Sequence, residues 1–357
     1  MTLARDSSIV GAAVYGLSYL LSYHDLRAGW GEMYASMSQR PFQSGSLFEY
    51  RYLIPALGWL TGLRGDAYHA LSIVGGALFC VLTYAWSCRF YRSRATALLL
   101  TLCLAFLSPI EFNHVAPNRP DVFAYVWLLC AMLWPGYVSV FVFLGLSTHE
   151  FFLMYVPWLY LYVFCFAYDA SYGTARQRSR TVIGFAVACL AYALVRWTIA
   201  ALNDFSVRFS AEYYWAIIRD EGLAEWRIQP IVLGLLVSLK WFWIVLPFAV
   251  VHALRTGTRM IAALLFMPAA GALVLLLVAH DTSRFLGHAF VFVLLLPYAL
   301  PRASTWLPIV FVLNAFIPSF YFGPDWYVPC NAYARSLDPW IQKYFYQGMQ
   351  YLPIWNR

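Results

Sequence analysis

Val122 to Glu150 reads VFAYVWLLCAMLWPGYVSVFVFLGLSTHE. No Asp, Glu, Lys or Arg stands between Asp121 and Glu150, and hydropathy gives two apolar spans there, 122–134 and 137–148. Trp134-Pro135-Gly136 divides them and is a strong breaker signal. Each span is short against the about 20 residues that a bilayer core of about 30 Å requires. The pair therefore reads as a hairpin buried among longer helices, because backbone polar groups in lipid have to be satisfied within the protein.

Working outward, further spans fall near 7–22, 67–88, 97–111, 151–167, 181–200, 230–251, 260–279, 285–299 and 304–320. The expectation is an all-α polytopic bundle of about eleven spans. Composition agrees: 62% of the 357 residues are hydrophobic and 11% charged, against about 25% charged in a soluble domain. The seven cysteines form no CxxC pattern and read as packing residues. Gly75-Gly76-Ala77 lies inside a span and reads as helix packing. Arg5 alone precedes the first span and no small-residue cleavage site follows, so that helix is expected to be retained.

Arginine sets the orientation. With the amino terminus inside, the inner loops are short and arginine-dense: Arg5; Arg89, Arg92 and Arg94; Arg176, Arg178 and Arg180; Arg255 and Arg259; Arg302. Of the seventeen acids only Asp6 and Asp169 fall on that side. The formal charge of +7 is thus topology anchoring, and no basic run interleaved with aromatics points to nucleic acid. The reading is a single membrane domain over 1–320 with a first extracytoplasmic loop at 23–66, followed by an aromatic-rich tail at 321–357. Residues 203–229 and that tail read as interfacial, anchored by aromatics at headgroup depth.

Six polar segments then share the extracytoplasmic face: the first loop, 111–121, 147–150, 203–229, 280–284 and the tail. Asp25 follows the first span at once, where a lipid-linked headgroup would lie. A partly desolvated carboxylate there can act as a general base, the plain alternative being a solvated or helix-capping Asp. Arg51 in Arg51-Tyr52-Leu53-Ile54-Pro55 opens an apolar segment too brief to span. It can bind a phosphate through two N–H groups, or simply snorkel. Asn118-Arg119-Pro120-Asp121 offers Arg119 and Asp121, the Asp to bind a hydroxyl, hold Arg119 or cap the next helix.

His149 and Glu150 stand between two apolar runs, a costly position unless they are paired or functional. They could hold a divalent cation, a sugar or the base. Asp281 and Arg284 in His280-Asp281-Thr282-Ser283-Arg284 can form a local ion pair, with Arg284 aimed at an anionic headgroup and His288 one turn on. Lys240 lies deep in a span and must face protein or a wet cavity, as a phosphate site or a structural pair. No GxGxxG, P-loop, HExxH or GxSxG is present, so a nucleotide cofactor is not expected.

With Asp25, Arg51-Tyr52-Leu53-Ile54-Pro55, Asp121, Thr148-His149-Glu150 and Asp281-Thr282-Ser283-Arg284 in view, the layout resembles the C-type integral-membrane glycosyltransferases (GT-C) over roughly the first 290 residues. The resemblance implies transfer of a sugar from a polyprenyl-phosphate donor to a glycan or lipid acceptor on the outer face of a bacterial cytoplasmic membrane, in cell-envelope polysaccharide synthesis. Asp25 would be the base, and Arg51 and Arg284 would neutralise the leaving phosphate. The family often carries an Asp-Asp or Asp-Glu pair in the first loop, whereas His24 precedes Asp25 here, which leaves metal dependence open. The rivals are an O-antigen ligase or polymerase, which uses outer-boundary arginines without metal, and a transporter or lipid flippase with Lys240 and Arg196 lining a pathway.

Overall fold

The computed structural model describes residues 2–22, 24, 30–42, 51–167, 175–202, 228–276, 282–322 and 327–341. Within them the chain is all-α apart from one small hairpin. In order the helices are α1 (Thr2–Leu21), α2 (Trp30–Met37), α3 (Leu53–Thr61), α4 (His69–Tyr91), α5 (Arg94–Ala105), α6 (Ser108–Val115), α7 (Asp121–Leu133), α8 (Val138–Thr148), α9 (Tyr155–Tyr162), α10 (Ala175–Leu202), α11 (Ile228–Ser238), α12 (Phe242–Arg255), α13 (Arg259–Leu275), α14 (Thr282–Gly287), α15 (Val291–Ala299) and α16 (Ala303–Ala315). Strands β1 (Phe320–Phe322) and β2 (Tyr327–Pro329) then pair antiparallel before α17 (Ala332–Ile341).

Helix falls in every one of the expected spans, but the spans are not alike. Among the described residues, two helices, Gly65–Tyr91 and Arg180–Leu202, are long and apolar enough to cross a membrane, or up to five if each bent pair counts as one. The opening hairpin is one of those pairs. α7 and the helix after Trp134 meet at 117°, and a 3-10 turn at Pro135–Tyr137 joins them. Apart from the partly buried Trp127, every residue of α7 is buried, as a segment too short to span alone requires.

The expected single span at 230–251 is instead broken. Val232–Ser238 and Phe242–Arg255 meet at 84°, and Lys240 sits in the break with φ 51. A non-glycine residue in this left-handed region costs of order 1–3 kcal/mol and persists where its surroundings fix it. The span at 97–111 is bent by 42° between α5 and α6.

The bundle has two distinct ends. Arg94 pairs with Asp6 at 2.8 Å and Arg89 donates to the Leu133 carbonyl at 3.0 Å, which gathers the start of α1, the end of α4 and the end of α7. The other end of α1 carries Ser18, whose hydroxyl lies 3.2 Å from His114 Nε2 of α6, and His24 stacks edge-on to the same imidazole. Arg51 of the first loop and the residues nominated from 111–121 and 147–150 lie at this second end. Close packing of α1, α4 and α7 relies on glycine: a Cβ on Gly75 would come within 2.7 Å of Val122, and one on Gly76 within 2.8 Å of the Tyr15 ring.

α6 corrects the reading of 111–121 as an outer loop. Residues 108–115 are helical and buried throughout, with Pro109 in the first turn, where its missing N–H costs no bond. Its neighbours take up its polar groups in different directions. Glu111 accepts hydrogen bonds from Ser319 and Asn331 and faces Lys240; Asn113 donates to the Ser72 carbonyl at 2.9 Å; His114 turns to Ser18. The β-hairpin closes over this helix, with the Tyr321 and Phe112 rings 4.8 Å apart, so the start of the tail is built into the fold. All seven cysteines are free thiols; five are buried and Cys165 and Cys189 are partly so.

Candidate functional site

Arg51 stands two residues before α3 and is 8% exposed. Its guanidinium grips Glu150 with both arms of the fork, Nε donating to Oε2 at 2.7 Å and Nη2 donating to Oε1. The remaining nitrogen, Nη1, donates to the Tyr34 hydroxyl of α2. Two parallel N–H···O bonds fix a guanidinium in plane as well as in place. The Glu150 side chain keeps 29% of its surface open, so this ion pair forms the accessible edge of the cluster.

His149 connects that pair to a second one. Its Nε2 lies 3.1 Å from Arg284 Nη2, and its Nδ1 lies 3.3 Å from both Glu150 Oε2 and the Phe151 amide. Arginine only donates, so Nε2 accepts. The Phe151 amide donates to Nδ1, so both ring nitrogens face donors and a second proton on the ring is disfavoured. Burial holds His149 well below the usual histidine range, with the Arg51 charge acting in the same direction.

Arg284 comes from α14 and places both Nε and Nη2 on one oxygen of Asp121, at 2.8 and 2.7 Å from Oδ1. The side chains are 7% and 3% exposed, so the charges neutralise one another away from water. Pro120, not Asp121, occupies the N-cap of α7, which corrects the capping role considered for Asp121. The carboxylate holds Arg284 by direct hydrogen bonds. Among the described residues Asp121 Oδ2 is buried without a hydrogen-bond partner. His288 stands 4.0 Å from Asp121 Oδ1, stacked on Phe151 at 3.8 Å and hydrogen-bonded through Nδ1 to the Tyr125 hydroxyl. Arg119 is 7% exposed and lies over Phe112, and Arg284 lies over the same ring, with guanidinium carbons 5.1 and 5.4 Å from its centre.

The fold thus unites Arg51, Glu150, His149, Arg284 and Asp121 in one continuous chain of polar contacts, with Arg119 beside it. Lys240 is not part of that chain. It is buried on the other side of α6, where Nζ donates to Ser319 Oγ at 2.8 Å and to the Phe106 carbonyl at 3.1 Å and its charge faces Glu111. Asp25 and Asp281 lie outside the described residues, as does most of 203–229. Among the described residues no three His, Cys, Asp or Glu converge as metal ligands, and His149 and Glu150 are engaged by arginines.

Three contributors were not nominated from the sequence, Tyr34, Phe112 and Tyr125, and neither was Glu111 beside Lys240. Tyr34 sits in the middle of a loop whose ends carried the charge. The two buried aromatics look like core in any apolar stretch. Glu111 alone left a signal, an acid at the end of an apolar run. Compared with known protein families, curated proteins and solved structures, the chain matches none.

Proposed function

We propose that the chain is a GT-C-type membrane glycosyltransferase that moves a sugar from a polyprenyl-phosphate donor to an acceptor at the membrane surface, with Asp25 as the base. The observation that carries this reading is the junction of Arg51 and Arg284 through the His149-Glu150 dipeptide. Guanidiniums held in place by hydrogen-bonded carboxylates are preorganised, so they can stabilise charge developing on a leaving phosphate without reorganising as it forms. The neutral His149 adds no competing charge, and the half-open Glu150 edge gives a headgroup an approach. An active site on the extracytoplasmic face and the about eleven spans belong to the same proposal, supported by the arginine distribution.

The test supplies radiolabelled polyprenyl-phosphate sugars and membrane lipid extract to the purified protein. Donor consumption that Asp25→Asn abolishes supports the reading. An intact protein that consumes no donor sinks it.

Two observations favour other readings. Because Arg51, His149 and Arg284 form one network, a ligase or polymerase that depends on those three while tolerating Asp25→Asn has geometric support. The 84° break at the left-handed Lys240 is the kind of interrupted helix that transporters use. Substrate movement in proteoliposomes without any covalent product would select that last reading.

A further inference from the structure

At the arginine-rich end of the fold, away from the Arg51–Arg284 network, a cavity of about 500 Å³ opens between α12, the Leu300-Pro301 turn and α16. Its wall on α12 is Val245, Phe248 and Val251, spaced at three-residue steps along one side, and it ends at His252 and Arg255. Trp306 and Val310 face them from α16, and the Trp306 indole Nε1 is buried without a hydrogen-bond acceptor among the described residues. Phe248 is 67% exposed and Val251 45%, so the slot is open along its side, as a site entered from lipid would be.

Two features specify the occupant. The segments that build the slot, 242–259 and 300–310, contain Arg255, Arg259 and Arg302 and no Asp or Glu. The polar end therefore selects an anion. From Val245 to Arg255 the helix rises about 15 Å at roughly 1.5 Å per residue, the depth of one leaflet of a hydrocarbon core of about 30 Å. We infer that this slot binds a single anionic glycerophospholipid, one acyl chain along Val245, Phe248 and Val251 and the phosphate at Arg255 and His252. The Trp306 N–H supplies a further donor at the level of the glycerol and phosphate, as interfacial tryptophans do.

The full chain is purified in neutral detergent from nanodiscs of phosphatidylcholine doped with phosphatidylglycerol, and retained lipid is counted by native mass spectrometry. One phosphatidylglycerol per chain is expected, retained in preference to phosphatidylcholine. His252→Ala with Arg255→Ala should weaken retention by at least about five-fold, the effect of the one arginine charge removed. Val251→Trp, which fills the slot from an exposed position, should abolish it. Arg94→Ala, an exposed arginine elsewhere, should leave it unchanged. The inference is overturned if phosphatidylcholine is retained equally, or if the double variant keeps its lipid. It is also overturned if Arg94→Ala loses as much, or if the wild-type chain carries no lipid and pairs with a second copy through this face.

Discussion

Arg284 and Asp121, 163 residues apart in sequence, meet with two guanidinium nitrogens on one carboxylate oxygen in a site closed to water. Removing one member of such a pair strands a charge without solvent and costs about 3–5 kcal/mol, whereas removing both costs much less. Asp121→Asn or Arg284→Gln alone should therefore lower the thermal midpoint in detergent sharply, and the double substitution should recover much of the loss. Additive losses would mean that the two residues do not share one interaction.

Arg51 makes its contacts with three different nitrogens, so geometry matters there as much as charge. Arg51→Lys keeps the charge and loses the fork, and it should reduce donor turnover by about a hundred-fold with little change in protein yield. Tyr34→Phe removes one hydrogen bond to a charged group and should cost about 1.5–3 kcal/mol of stability. Steady-state kinetics and thermal unfolding of the two variants separate these effects.

His149 gives the fold an acid sensitivity with a definite sign. Its folded-state pKa is depressed by burial, so the unfolded chain takes up a proton near pH 6.5 that the folded chain refuses. The stability that neutral His149 contributes is fully present above that pH and declines as pH falls below it. His149→Gln, which keeps an acceptor and a donor but cannot titrate, should show a shallower fall in thermal midpoint between pH 7 and pH 5 than wild type. Parallel curves would contradict the assignment.

How much of this was legible in the sequence follows from how far each residue's partner lies along the chain. The apolar helices and the hairpin around Trp134-Pro135-Gly136 can be read from local patterns, because hydropathy and breakers act over a few residues. α6 was not legible. Glu111, Asn113 and His114 look like a polar loop until Lys240, Ser72 and Ser18, distant in sequence, satisfy them. The break at Lys240 was equally hidden, since neither Gly nor Pro marks Ser238-Leu239-Lys240-Trp241; the left-handed backbone there is stabilised by contacts to Phe106 and Ser319.

Lys240 and Glu111 provide a second paired test. Lys240→Met should destabilise by about 3–5 kcal/mol because it leaves a buried carboxylate without its counter-charge, and adding Glu111→Gln should restore part of that. A transport pathway through Lys240 would instead show as lost substrate movement in a folded protein.

Topology can be tested independently with reporter fusions after Arg178 and after Asp281, which should report opposite sides of the membrane. Finding both on one side would break the convergence of the polar segments on the extracytoplasmic face.

Donor consumption by the purified chain and its Asp25→Asn variant tests the proposed chemistry most directly. Wild type should release the sugar from a radiolabelled polyprenyl-phosphate donor in the presence of lipid extract, and Asp25→Asn should not. A folded wild-type protein that leaves the donor intact, or an Asp25→Asn variant that consumes it at the wild-type rate, would contradict the account.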